Sequence, residues 1–573
     1  MKKKDIKLPS LRNLHQISSS KNDNFKFNQY DILSWKQSFL DSRFLAWTNR
    51  GDYETLSDAV KDLSLEITLL NLRIEAPVDV KDLVEALSKL HPGIETLDFN
   101  LSSLGLRMST RELMQVFAAI PKHVTTLSLA NNKLGTKTSE ELAQILKAIP
   151  NHVMSLDLSN NDLRAGQIIK AFPNHIKTLN LSSNCLGDSL DLKELIQLLP
   201  NSITSLDLSY NNLGKSLYGI GVLLACIPSN INTLDISGNN FTLTANEMEF
   251  VLEFLPNHVR NLKGFINVVS KRGLELAQVI STMPEQLTSL DLSRQLIGYF
   301  DPTIEDVYVF SADELVPMVK AIPKNIITLD LSHNQLNEMG SKSLVQMFAA
   351  LPSHISSLNL SDNGFDKLTA TELARIFASI PKQVSSFNLS SNNFGYPGVE
   401  DLAQVFAAIP AGVTHLNLSQ NEFGRSKYQC KNLDQAFSAL PKHVSSLNLA
   451  GNKLEMLSVE ELEKFAGTLP YIKTIELSYK EIREMSFEQR QALKSVFNNV
   501  EKVIWCDEQG SELQFKTGHA LLETQRYARE LCGKLNSSPS KGGIFYSSSA
   551  NGVVDKALEG KEEVQQRTVT YLN

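Results

Sequence analysis

Five cysteines are scattered through 573 residues, at Cys185, Cys226, Cys430, Cys506 and Cys532, with no paired spacing. So odd and sparse a set excludes a disulfide framework and reads as free thiols in a reducing compartment. The absence of CxxC or HxxxH-type spacings argues against a structural zinc site, and nothing in the sequence asks for a cofactor. An excess of one charge is missing too: the net charge is −7, with acidic and basic residues interspersed. Nucleic-acid binding requires a basic patch or stripe, so that class of partner is excluded. No run approaches the roughly 18 consecutive apolar residues of a membrane span. The N-terminal "MKKKDIKLPSLRNL" has a basic cluster but no apolar stretch behind it, so it does not read as a secretory signal peptide.

What the chain has in abundance is one phrase: "IPKHVTTLSLANNKLG", "IPNHVMSLDLSNNDLR", "IPKNIITLDLSHNQLN", "LPSHISSLNLSDNGFD". Self-similarity at a period of about 28 residues marks a stacked-repeat architecture, in which each unit packs on its neighbours. Within "VMSLDLSNNDL", Leu156–Asp157–Leu158–Ser159 alternates as a short strand does, leucines inward and the polar pair outward. Equivalent positions from Leu70 to Val503 predict about sixteen rungs. An asparagine recurs after each strand, at Asn132, Asn161, Asn184, Asn211, Asn239, Asn267, Asn334, Asn363, Asn392, Asn421 and Asn452. A side-chain amide both donates and accepts, so a column of asparagines can satisfy the buried backbone of successive turns.

Each strand leads to a helical segment. "TSEELAQILKAIP" puts Leu142, Ile145, Leu146 and Ile149 on one face. Thr138 with Glu141 has capping-box spacing, repeated at Ser109/Glu112, Thr244/Glu247, Ser311/Glu314, Thr369/Glu372 and Ser458/Glu461. These glutamates therefore read as helix caps rather than paired acid–base carboxylates. Proline then ends each helix before the next strand, as at Pro121, Pro150 and Pro323.

The unit of strand, asparagine turn, helix and proline resembles the ribonuclease-inhibitor class of leucine-rich repeats. That resemblance implies an α/β horseshoe solenoid over 57–510, with parallel strands on the concave face and helices on the convex face. Residues 1–56 are expected to form a helical N-terminal cap and 511–535 a C-terminal capping helix, since terminal repeats must hide an open core. Residues 536–573 are expected to be a flexible linker and tail.

Differences among the repeats point to candidate contact residues. The column between the strand leucines holds mostly Asp early and Asn later, with Lys263 between Asp235 and Asp291. Lys263 either relieves repulsion among stacked aspartates, or the acidic half receives a basic partner. The column before the ladder asparagine varies most, including Tyr210, Arg294 and Tyr479; it reads either as a recognition surface or as drift at a tolerant position. The repeat at Leu262 puts Phe265 where Ser normally faces outward. The next interval is about ten residues too long, and its extra segment carries Tyr299, Phe300, Tyr308 and Phe310. Such an insert is expected to be a loop that either contacts a partner or folds back on the solenoid.

The wording "IPxHVxxLxLSxNxLG" with helices of "ELAxxFAAIP" type resembles the leucine-rich-repeat effectors of Legionella. Those are delivered into host cells by the Dot/Icm type IV secretion system on a C-terminal signal. Here Glu559, Glu562 and Glu563 match its acidic cluster, and Val569 and Leu572 match its apolar residues. The resemblance implies a non-enzymatic scaffold binding a eukaryotic host protein, made in the bacterial cytoplasm and acting in host cytosol. The alternatives are an adaptor or inhibitor within the producing cell and, from another class, a cysteine-dependent hydrolase or ubiquitin ligase. The latter would use Cys506, with His519 its one nearby histidine. About sixty residues follow the last rung, too few for a separate ligase domain.

Overall fold

The computed structural model describes most of residues 55–506, apart from 62–68, 75–78, 100–103, 265–272, 294–296, 301–306, 396–400, 426–432, 494–499 and a few shorter gaps. It also describes the strands Ile32–Leu33 and Ser42–Trp47, and residues Tyr527 and Leu531. Sixteen strands from Leu69–Ile74 to Lys502–Cys506 carry the repeat, alternating with helices. They pair in parallel with leucine opposite leucine: Leu127 lies against Leu156, and Leu156 against Leu179. Most are three residues long, with the central side chain buried and both flanks half-exposed. So short a strand follows from "x-Leu-x", in which one inward residue suffices to join a rung to the core.

The helices close the other side of each rung. Leu142, Ile145 and Leu146 are buried on the helix Ser139–Lys147. All six predicted cap glutamates accept a hydrogen bond from the backbone N–H of their cap residue. Those bonds hold the Glu141, Glu247 and Glu372 carboxyls below the ordinary glutamate range, as the Ser109 side chain and backbone do for Glu112. The core is leucine-rich throughout, and in the later repeats a chain of edge-to-face phenylalanines runs through it. Phe406, Phe437 and Phe465 are joined at ring centroid distances of 5.4 and 4.8 Å.

Two expectations are corrected here. The described residues of 1–56 include two strands rather than helix alone. Ile32–Leu33 pairs antiparallel with Ser42–Trp47, which pairs in parallel with Leu69–Ile74. The physical reason is the open edge of the first rung, whose unpaired N–H and C=O groups a strand of six residues can satisfy where a helix cannot. The long interval after Leu290 contains not a plain loop but an antiparallel pair, Ile297–Phe300 with Val307–Val309. Its β-branched and aromatic residues favour strand.

The parallel strands fall into two sheets. One holds ten strands and ends at Asn261–Lys263; the other holds eight and begins at Ser289–Asp291. Among the described residues, no backbone hydrogen bond joins the rung of Leu262 to that of Leu290. Gly264 accounts for the break: it stands where neighbouring rungs place a second inward residue, Ile236 or Leu292. Without that side chain the backbone turns to a φ of +72° and closes on Ser237, whose Cα would lie 2.0 Å from any added Cβ.

Candidate binding surface

The turn after each strand is held by the asparagine column. Asn161 Oδ1 accepts from the backbone N–H groups of Asn132 (2.9 Å) and Leu134 (3.2 Å). Its Nδ2 donates to the carbonyls of Leu129 (2.8 Å) and Leu158 (3.0 Å). One amide thus ties two rungs, and the pattern repeats at Asn211, Asn363, Asn392 and Asn421, all fully buried. Asn267 lies outside the described residues.

The concave column of Asp and Asn has a local duty that the sequence reading missed. Its Oδ1 accepts from the N–H two residues on: Asp157 from Ser159 and Asn180 from Ser182, both at 2.8 Å, and Asn388 from Ser390 at 2.9 Å. Asp and Asn serve this turn equally, which is why they interchange along the chain. Burial holds the Asp207 carboxyl above the ordinary aspartate range; the Ser209 hydrogen bonds oppose that, and Asp235 and Asp157 add to it. Lys263 is exposed at the end of this column, in register with Asp235.

From the last strand of the first sheet across the second, the polar columns line a concave groove of about 520 Å³, running from Asn261 and Lys263 through Asn388 and Asn417 to Glu476. Hydroxyls, amides and the carboxylates of Asp291, Asp330 and Glu476 line it, with Leu358, Phe387 and Leu416 between them. The Nδ2 of Asn359 donates to Asp330 Oδ2 at 2.9 Å and that of Asn448 to Glu476 Oε2 at 2.7 Å. The Nδ2 groups of Asn388 and Asn417 between them donate no hydrogen bond among the described residues. Among those residues no cluster of His, Cys, Asp or Glu could hold a metal ion, and no helix is long and apolar enough to cross a membrane.

A family model described as leucine-rich repeat matches residues 172–189, 200–216 and 384–403, each across a strand and its asparagine turn. The chain is a leucine-rich-repeat protein. No curated protein matches it. Among solved structures it is similar to the leucine-rich repeat-containing protein LegL7 from Legionella pneumophila. The two are 33% identical over 60% of this chain and 95% of that one, with a TM-score of 0.46.

The variable column of this leucine-rich-repeat chain is left-handed backbone. Tyr210, His333, Asp362, Ser391 and Gln420 have φ between 52° and 57°, a region where non-glycine residues are uncommon. Adjacent members meet along the stack. His333 Nδ1 lies 2.6 Å from Asp362 Oδ2, and Ser391 Oγ donates to Gln420 Oε1 at 2.5 Å. The Tyr210 ring lies across Gly238 of the next rung, which has no Cβ to meet it, and still leaves the residue 58% exposed.

Tyr479 requires a correction: it is fully buried and cannot contact a partner. The last regular turn is replaced by the helix Tyr479–Glu484, whose first residue packs edge-on against Trp505 and beside Tyr527, both at 6.3 Å. Glu481, also buried, takes the place of the next ladder asparagine and accepts from Lys453 N–H at 2.6 Å. The motif "SYKEI" carried the signal, since asparagine is absent where the column requires it.

The remaining candidates fall mostly outside the described residues. Phe265, Arg294 and Phe310 lie outside the described residues. So do Glu559, Glu562, Glu563, Val569, Leu572 and His519. Tyr299, Phe300 and Tyr308 stand on the antiparallel pair, with their side chains outside the described set. Cys506 is buried on the last strand, its Sγ 3.9 Å from Glu476 Oε2. Cys506→Ala is expected to leave partner binding and cellular effect intact. Lost effect at an unchanged melting temperature would point to thiol chemistry.

Proposed function

We propose that this chain is a non-enzymatic scaffold that binds a protein partner in the concave groove that runs from the end of its first sheet across its second. We further propose that it is a bacterial effector, made in the bacterial cytoplasm, translocated by type IV secretion and active on a eukaryotic protein in the host cytosol. The observation that carries the binding reading is the groove. Its amide donors at Asn388 and Asn417 are left over after the fold's own hydrogen bonds are made, and a row of donors and hydroxyls suits the polar surface of another chain. The translocation reading is supported by the repeat wording and by the acidic-plus-apolar tail.

Capture of partners from eukaryotic lysate on the intact protein, followed by mass spectrometry, tests the first reading. Deleting residues 555–573 tests the second. A reporter fusion is expected to lose delivery into host cells while the solenoid melts at an unchanged temperature. Undiminished delivery of the truncated fusion would instead favour an adaptor or inhibitor acting inside the producing cell.

A further inference from the structure

A second rung-to-rung column runs along the turns that lead into the strands, two residues after each helix-ending proline. In it stand His123, His152 and His175, on three consecutive rungs whose strands Thr126–Ser128, Ser155–Asp157 and Thr178–Asn180 pair in register. Each ring is half-buried, and its Nε2 is sealed from solvent without a hydrogen bond. On the preceding rung Gly93 holds the column position and His91 stands two residues earlier, with its Nδ1 accepting from Gly93 N–H at 3.0 Å. On the rungs of Asn230, Gln286 and Asn325 the same column holds amides that donate to carbonyls of the preceding rung. Asn325 Nδ2 reaches Pro284 O at 3.1 Å and Leu287 O at 2.6 Å, and Gln286 Nε2 reaches Leu255 O at 3.4 Å. An amide thus serves this position without titrating. His258 and His354 occupy it singly, between Asn230 and Gln286 and between Asn325 and Gln383.

We propose that the file of His123, His152 and His175 is an acid-sensitive latch that keeps the N-terminal rungs stacked while the rings are neutral and loosens them when the rings charge. Successive rungs stand about 4.8 Å apart, so imidazolium charges on neighbouring rungs repel at short range. Among the described residues the Nε2 atoms of His123 and His152 have no hydrogen-bond partner to take up the charge, and His175 has only the Pro150 carbonyl. Burial, then His91 and His152, hold His123 below the ordinary histidine range. Burial and then His152 do the same for His175, against a smaller opposing pull from the Pro150 carbonyl. No carboxylate is among the groups acting on these two rings.

The direction of the pH effect follows. A histidine whose folded pKa lies below its unfolded value of 6.5 contributes stability above that pH. That contribution is lost as pH falls from 6.5 towards the folded pKa, because the unfolded chain takes up protons first. The cap glutamates, held below 4.5, let go only in stronger acid. Asp207, held above its ordinary 3.8, acts oppositely, since acid favours its folded form.

Hydrogen exchange on the full-length chain, corrected for intrinsic rates, reads the latch strand by strand. Between about pH 7.5 and about pH 5.5, the strands at 126–128, 155–157 and 178–180 are expected to lose roughly tenfold in protection. The strands at 328–330, 357–359 and 386–388 are expected to hold theirs. A chain carrying His123→Asn, His152→Asn and His175→Asn together is expected to lose the pH dependence. Should that chain fail to fold, His152→Asn alone removes the neighbour of both other rings and is expected to reduce the effect, whereas His354→Asn leaves it unchanged. Loosening spread equally over both sheets overturns the proposal, as does the same pH response in the His152→Asn chain.

Discussion

Replacing Asn392 with alanine is expected to lower stability by about 2–4 kcal/mol, because it strands several buried backbone groups at once. The lost amide accepts from Asn363 N–H at 2.9 Å and donates to the carbonyls of Leu360 at 3.0 Å and Leu389 at 3.1 Å. Asn392 is fully buried, so these backbone groups do not face bulk solvent. Asn388→Ala is the control four residues away. Its Oδ1 accepts one hydrogen bond, from Ser390 N–H, on the half-exposed groove side. That change is expected to cost about 0.5–1.5 kcal/mol. Denaturant titration of both variants decides the matter, and equal losses would mean that the column is not what holds the turns.

The second large effect concerns binding. Ser386→Arg combined with Ser446→Arg puts two long cations into the groove from strands that flank His415. Neither serine hydroxyl makes a hydrogen bond among the described residues, and both side chains face outward. The fold therefore loses little, and the melting temperature is expected to stay within a few degrees. Affinity for a captured partner is expected to fall by about 100-fold or more, as steric block and unpaired charge exceed roughly 3 kcal/mol. Unchanged affinity would move the contact surface to the exposed Tyr210 edge or to the antiparallel insert.

The architecture was legible because each rung repeats the same instructions. Leucine spacing, the asparagine turn, the capping box and the terminal proline each recur often enough for accidents to average out. The sixteen rungs, the asparagine bonds and the six glutamate caps follow from those columns alone. What escaped the sequence was set by single departures from the pattern. Tyr479 shares its column with Tyr210, yet one is buried and the other exposed, because a short helix replaces the turn at the last repeat. The left-handed backbone of the variable column explains its preference for Asn, Asp and Gly. It also shows Tyr210 and Gln420 to be the less usual occupants, a distinction that variability alone did not make. The candidate site was less legible than the fold because polar residues on a concave sheet look alike in sequence. Whether an amide is consumed by its neighbours, as at Asn359 and Asn448, or left over, as at Asn388 and Asn417, depends on which acidic residue lies one rung away.

Gly264 has a consequence for how the stack comes apart. In a linear array, cooperativity is the sum of nearest-neighbour couplings, and a local defect spreads as far as those couplings carry it. Between the rungs of Leu262 and Leu290, among the described residues, that coupling consists of the shared apolar core and hydrogen bonds from side chains. Gln278 donates to Asn246 at 2.6 Å, and Gln286 reaches back to the carbonyls of Leu255 and Pro256. Elsewhere, strand bonds and asparagine amides add to such contacts. The weak link works as a firebreak: rungs lost on one side need not take the other side with them. The part of the groove on the second sheet, from Ser289 to Glu476, can thus outlast the unravelling of the repeats before it.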